Sequence, residues 1–283
     1  AGGQGEPGAW QLGAGSLCLG LIAGCRPQLL LTLAAGPVLL GRAVFRDRKL
    51  FTGKSLGKTL ALCLPLAAAA AGIMWYNAVR FGSVWDFGAS YNLTTNDMTH
   101  RGWVWGRCAL GIFSYLLQPP RISAVFPFLE DFRVETVYQG LTLSEMMVGG
   151  VLWLFPVLCF GFYGMAERKL FEDRGCRCLV WIFQWMMVAL AVTDAQMAGL
   201  LTRYFGDFVW VGMIASAMVI LACYDRLERG GQNCRGLQRL VAAACVVTLL
   251  SAFLRIFAHS EDAIQNANPA LYYQVQSLIA FWM

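Results

Sequence analysis

The sequence predicts an all-α fold, a polytopic bundle of about seven membrane-spanning helices with interfacial helices in one long outer segment. Three observations predict it. Of 283 residues, 58% are hydrophobic and 14% charged, whereas soluble domains hold about 25% charged and about 45–50% apolar residues, so the polar groups are too few to cover a soluble surface. The apolar residues lie in long blocks. The basic residues gather in alternate connections between those blocks.

Seven blocks read as spans, over residues 9–24, 28–45, 59–79, 146–165, 178–201, 205–223 and 240–258. A span needs about 20 apolar residues at 1.5 Å rise each. The first two blocks are short, which implies tilt or a re-entrant hairpin. They are separated at Gly24-Cys25-Arg26-Pro27, where proline ends or starts a helix and arginine prefers the interface. The third contains an alanine run, Ala67–Ala71, whose small side chains let helices approach closely.

Orientation follows from the positive-inside bias. Segment 42–58 carries Arg42, Arg46, Arg48, Lys49, Lys54 and Lys58; segment 166–177 carries Arg168, Lys169, Arg174 and Arg177; segment 224–239 carries Arg226, Arg229, Arg235 and Arg239. One assignment satisfies all three: they face the cytoplasm, in a plasma (inner) membrane, while 80–144, the 202–204 turn and the C-terminal tail face outward. Segment 80–144 is long for a plain loop and dense in aromatic residues, which belong at the membrane–water boundary. Within it, residues 107–117 predict a short helix ended by Gln118-Pro119-Pro120. The whole segment reads as one or two interfacial helices on the outer leaflet, roofing a cavity open to lipid and water.

The first eight residues, AGGQGEPG, lack the basic start and cleavage site of a signal peptide. The chain is expected to be one membrane-embedded domain, the C-terminal portion of a longer protein. Net charge is +5, placed in loops rather than on an aromatic-interleaved basic face, which argues against nucleic acid. Of ten cysteines, Cys18, Cys63, Cys159, Cys223 and Cys245 sit in apolar blocks as small hydrophobes. Cys176 and Cys178 are separated by one residue, not two, so no zinc-type pair exists, and a disulfide framework is not expected.

The remaining ionisable groups collect on the outer side. Asp86, Asp97 and His100 are the acid–base candidates; Asp86 lies between Trp85 and Phe87, and a lone aspartate there also suits a turn. Arg80, Arg101, Asp194, Arg203 and Tyr204 are the substrate-binding candidates. Asp194 sits inside block five, where a charge faces either a wet cavity or a partner such as Arg203 or Arg255. Arg203 is either an interface anchor or a clamp whose planar fork matches phosphate oxygens. Asn92-Leu93-Thr94 fits a glycosylation acceptor.

Tyr76-Asn77, Arg80-Phe81-Gly82-Ser83, Asp86-Phe87-Gly88 and the run Tyr91 to Thr99 resemble a segment of bacterial polytopic proteins of the GT-C glycosyltransferase superfamily. Leu117-Gln118-Pro119-Pro120 and the Arg203-Tyr204, Asp207-Phe208 turn are similar too, and Gly24-Cys25-Arg26-Pro27 is a weaker match. The resemblance implies a membrane-embedded enzyme that takes a sugar from a polyprenyl-phosphate carrier on the outer face and inverts the anomeric centre. It also implies an acidic residue in the first outer loop, acting as base or as ligand to a divalent metal ion. That loop is expected to precede this chain, so the family's catalytic acid falls on no residue here. The bilayer and the lipid-linked sugar are the expected partners. A transporter, with binding groups near the midplane on broken helices, and a non-catalytic cell-envelope assembly protein are the rival readings.

Overall fold

A computed structural model describes residues 8–41, 50–91, 100, 102–138, 140–258 and 264–282. The chain falls into two compact units, Ala1–Thr99 and His100–Met283, where one domain is expected.

In the first unit, helix α1 (Ala9–Cys25) is followed by a 3-10 stretch (Pro27–Ala35), helix α2 (Gly36–Gly41) and the long helix α3 (Leu56–Phe81). α1 and α3 run parallel, since Gly13 faces Ala61, Gly20 faces Ala69 and Gly24 faces Ile73. A β-carbon on Gly20 would lie 2.6 Å from that of Ala69, so the glycine is what lets the helices touch. Pro65 interrupts α3, because its nitrogen has no proton and its ring opposes the preceding turn. One residue on, the Ser16 hydroxyl of α1 takes the Leu66 N–H at 3.2 Å and donates to the Leu62 carbonyl.

In the second unit, α4 (Trp105–Ile112) continues as a π-helical turn (Phe113–Leu117), close to the predicted 107–117 helix and stopped at the same Gln118-Pro119-Pro120. Two small antiparallel hairpins follow: β1 (Arg121–Ile122) with β2 (Leu129–Glu130), and β3 (Phe132–Tyr138) with β4 (Leu141–Met147). The expected purely interfacial-helical segment is corrected here. Along β3, Phe132, Thr136 and Tyr138 are buried while Arg133, Glu135 and Val137 are exposed, a period of two that a helix cannot bury.

Block 146–165 is likewise corrected. It begins in β4 and continues as three short helical pieces: α5 (Val151–Leu154), a 3-10 turn (Pro156–Leu158) and α6 (Cys159–Ala166). Gly149 (φ +154°) and Gly150 pass so close to Pro120 and Leu116 that no side chain fits, and Pro156 supplies the second break. α7 (Arg174–Met197) and α8 (Phe205–Arg229) form an antiparallel pair, with α6 against both. Gly212 packs on Met187, and a β-carbon on Gly164 would lie 2.2 Å from Val219. α9 (Arg235–Phe257) follows, then α10 (Ile264–Ala267) and α11 (Pro269–Ile279), which the sequence reading leaves as tail. α11 folds back: Tyr272 packs on Phe126 and Phe257, and its hydroxyl donates to the Phe126 carbonyl at 3.1 Å.

Among the described residues, four helical stretches are long and apolar enough to cross a membrane: Gly53–Phe81, Arg174–Met197, Thr202–Arg229 and Arg235–Phe257. Blocks one, two and four give shorter apolar helices, so a count of seven rests on more than helix length.

Gly111 is the tightest point between α4 and α7, where an added β-carbon would lie 2.5 Å from that of Ala195. Gly106, on the same helix, faces open space. Gly111→Ala is expected to destabilise the second unit by about 1–3 kcal/mol through overpacking, while Gly106→Ala stabilises it by up to about 1 kcal/mol through helix propensity. Thermal melts of the two purified variants check this; equal melting temperatures would contradict the packing.

Candidate functional site

In the first unit the predicted residues meet at the C-terminal end of α3. Arg80 lies over the Tyr76 ring (5.6 Å to its centroid) and the Phe81 ring (5.3 Å), and hydrogen-bonds the Tyr76 hydroxyl. This is the stacked, weakly hydrated geometry that suits a guanidinium. Among the described residues no carboxylate pairs with Arg80. Beside it opens a groove of about 420 Å³. Its walls are apolar, with Leu21, Gly24, Gly72, Ile73 and Phe87, and Arg80 and Asn77 supply its polar edge. Asn77 is buried and donates to the Val84 carbonyl at 3.3 Å.

Asp86 sits in the turn that follows α3. Its carboxylate accepts the Gly88 N–H at 2.8 Å, a side-chain turn that ends at left-handed Gly88 (φ +82°) against Phe81. Asp97, Arg101 and the Asn92-Leu93-Thr94 acceptor lie outside the described residues. His100 stands exposed at the start of the second unit. Among the described residues no three His, Cys, Asp or Glu side chains group to hold a metal ion.

The second unit gathers Asp194, Arg203 and Tyr204 around the 198–204 loop that joins α7 to α8. Asp194 is 1% exposed, and its backbone carbonyl ends α7 by accepting Ala198 N–H (2.8 Å) and Gly199 N–H (2.9 Å). Neither Arg203 nor Arg255 pairs with it, so the expected ion pair with one of them is set aside. Arg255 instead lies 4.7 Å from the Phe205 ring and donates to the Thr202 carbonyl at 3.5 Å. Arg203 is exposed, stacks on the Tyr204 ring at 5.1 Å and donates to its hydroxyl at 3.1 Å.

Sequence reasoning missed the side chains that hold this loop. The Tyr115 hydroxyl donates to the Gly199 carbonyl (2.6 Å) and accepts Leu201 N–H (3.1 Å). Glu145, on β4, accepts Leu200 N–H at 2.6 Å and the Thr136 hydroxyl at 3.2 Å. Tyr138 donates to the Ala195 carbonyl at 2.8 Å, and Arg107 lies 4.4 Å from the Tyr138 ring while donating to the Gln196 carbonyl at 3.2 Å. The fully buried Gln196 amide pairs with both backbone groups of Val104, at 2.7 and 3.2 Å. Alternation along 132–138 is the signal that would have found Tyr138 and the paired strand that carries Glu145 opposite Val134.

Tyr115 lies outside the four long apolar stretches. Burial pushes its phenol well above the ordinary tyrosine range, partly offset by the Leu201 backbone bond, and the nearby charges of Asp194 and Glu145 raise it further. A raised acid pKa stabilises the folded state fully below the unfolded value of about 10, and that stability is lost as pH rises beyond it. Tyr115→Phe is therefore expected to cost about 1–3 kcal/mol near neutral pH, from two unmade hydrogen bonds. The melting-temperature gap between variant and wild type should narrow as pH passes about 10; a constant gap would contradict the role given to the phenol. Gly199 (φ +107°) has Glu145 only 2.0 Å from where a β-carbon would sit. Gly199→Ala should lower the melting temperature at any pH, at about 1–3 kcal/mol or more.

No protein-family model, characterised protein or solved structure matches the chain, so a functional reading rests on its own residues.

Proposed function

We propose that the chain is a seven-span protein of the plasma (inner) membrane that handles a polyprenyl-phosphate-linked sugar at the outer face and takes part in its transfer. One observation carries the reading: Arg80 sits on two aromatic rings, unpaired with any described carboxylate, at the edge of an apolar groove. A lipid phosphate asks for that combination, with apolar walls for the chain and a planar fork for the phosphate oxygens. In the transfer, the bond between the anomeric carbon and the donor phosphate oxygen breaks, and a bond from the acceptor oxygen forms. The phosphate leaves with the electron pair, and a cation beside it stabilises the developing charge. The acceptor proton needs a carboxylate. Asp86, whose carboxylate also caps a turn, and Asp97 are this chain's candidates for it, with His100 as the further acid–base candidate. In the second unit Arg203, exposed and stacked on Tyr204, is a separate candidate for a phosphate contact.

The cytoplasmic placement of 42–58, 166–177 and 224–239 belongs to the same proposal. Parallel packing of α1 and α3 supports it, because alternating spans put the first and third in the same direction. With Phe171→Cys in a cysteine-free background, an impermeant reagent should label the position only after the cells are opened. Labelling in intact cells would overturn the orientation.

Each arginine is tested separately, with Arg80→Lys against Arg80→Ala and Arg203→Lys against Arg203→Ala, reading polyprenyl-phosphate binding and folded yield. A charge-assisted contact is worth roughly 1.5–3 kcal/mol, so both changes at a clamp should lose about 10- to 100-fold in binding. Near-normal binding in the lysine variants would reduce the arginines to interface anchors, since both side chains reach the same depth.

A transporter is the second reading, favoured by the broken helix across Val151–Ala166 and by Gln184, 1% exposed within α7, whose amide has no hydrogen-bond partner among the described residues. Ion-coupled uptake into vesicles, without bound sugar-lipid, would favour it.

A further inference from the structure

A second, larger cleft lies within the second unit. It measures about 830 Å³ and opens between α6, α8 and α9. Its walls include Phe160 and Tyr163 of α6, Cys223 of α8, and Leu240 and Ala244 of α9, with Glu167, Arg226 and Gln232 at the mouth. α9 packs on Val151–Leu154 and Pro156–Leu158. The cleft is a wedge-like gap lined from Pro156 and Ala244 to its charged rim.

We propose that this wedge holds an acyl chain of an anionic phospholipid, with the lipid phosphate at Arg226. It rests on the membrane-embedded part of the reading above and is independent of sugar transfer. Water is a poor filling for walls so apolar. A further crossing helix does not fit either. From Leu237 to Ala244 the wall rises about 10 Å at 1.5 Å per residue, whereas a crossing helix occupies the full hydrocarbon thickness of about 30 Å. A depth of that order stays within one leaflet, where an acyl chain descends from a headgroup.

At the mouth itself stand Arg226 and Glu167, within connecting segments that are basic overall. Segments 166–177 and 224–239 hold eight arginine and lysine side chains against five carboxylates. Arg229 is occupied by Asp225 at 2.8 Å and Glu172 at 3.1 Å. Arg226 is half exposed and meets Glu167 only at 3.7 Å, beyond hydrogen-bonding distance, so its donors are available to a phosphate.

The test uses the full chain in nanodiscs of phosphatidylcholine, with or without phosphatidylglycerol, after a carbonate wash has established whether the protein stays with the membrane. The protein is then moved into lipid-free detergent, and retained phospholipid is measured by mass spectrometry. Wild type is expected to keep about one phosphatidylglycerol per chain in preference to phosphatidylcholine. Arg226→Gln should cut that preference about tenfold, the order of one charge-assisted bond. Ala244→Trp, which fills the wedge, should abolish retention while the melting temperature in phosphatidylcholine is kept. Should the tryptophan variant not fold, wild type and Arg226→Gln decide. Absence of retained lipid in wild type, or equal retention and preference in wild type and Arg226→Gln, overturns the proposal while leaving the outer-face reading intact. Release of the chain by carbonate overturns both.

Discussion

Backbone amides that leave regular helix need partners, and in a chain this apolar water supplies few of them. The polar side chains are arranged around that constraint. Where Pro65 removes a donor from α3, Ser16 reaches across from α1 and pairs with the neighbouring Leu62 and Leu66 groups. Where α7 ends, the 198–204 loop exposes several groups at once, and Tyr115 and Glu145 arrive from different elements to meet them. Gln196 turns its amide to the Val104 backbone as a strand neighbour would. Ser216 does the same for the broken helix, accepting Gly161 N–H at 3.1 Å. The glycines belong to this arrangement, since Gly111, Gly161, Gly164 and Gly212 let helices come close enough for short side chains to reach.

Cations follow a second pattern. Arg80, Arg107, Arg203 and Arg255 each lie over an aromatic ring, at 4.4–5.7 Å. A guanidinium tolerates such a place because its flat faces are weakly hydrated, while an ammonium would need its water shell. The ring holds the fork in one orientation without consuming its donors. Arg107 and Arg255 give theirs to loop carbonyls and so serve the fold. Arg80 and Arg203 give theirs to one tyrosine hydroxyl each and stay exposed.

The helices were legible because their signals are long-range in composition and short-range in sequence. α3, α7, α8 and α9 each bury or expose apolar residues over six turns or so, and the α4 helix was announced by its uninterrupted run and by the prolines that stop it. The hairpin at 132–147 was not, because aromatic density was read as a boundary signal and masked the alternation beneath it. The break at 149–156 lay within an apolar block, and apolarity alone does not distinguish one long helix from three short pieces; only Gly149-Gly150 and Pro156 do. Of the site residues, Asp194 was legible from its cost in an apolar block, yet its surroundings come from 107–145, a segment whose fold was misread. Tyr115 and Glu145 carry no motif, and their role exists only once the loop they hold is in place.

Exposed arginines are held in two ways. Arg229 is bound by two carboxylates. Arg80 and Arg203, each within its own unit, have aromatic faces in place of carboxylates among the described residues. An exposed ion pair is worth at most about 1 kcal/mol, so a cation kept out of such a pair forgoes little stability. What it retains is the ability to meet an anion brought from outside. An arginine held in this way beside an apolar groove favours amphiphiles with a phosphate over free anions, because the groove adds burial of about 25 cal/mol per Å² of chain to the charge-assisted contact. On the proposed reading, selectivity is built from two weak terms, apolar burial and a charge-assisted contact, which a lipid-linked phosphate supplies together.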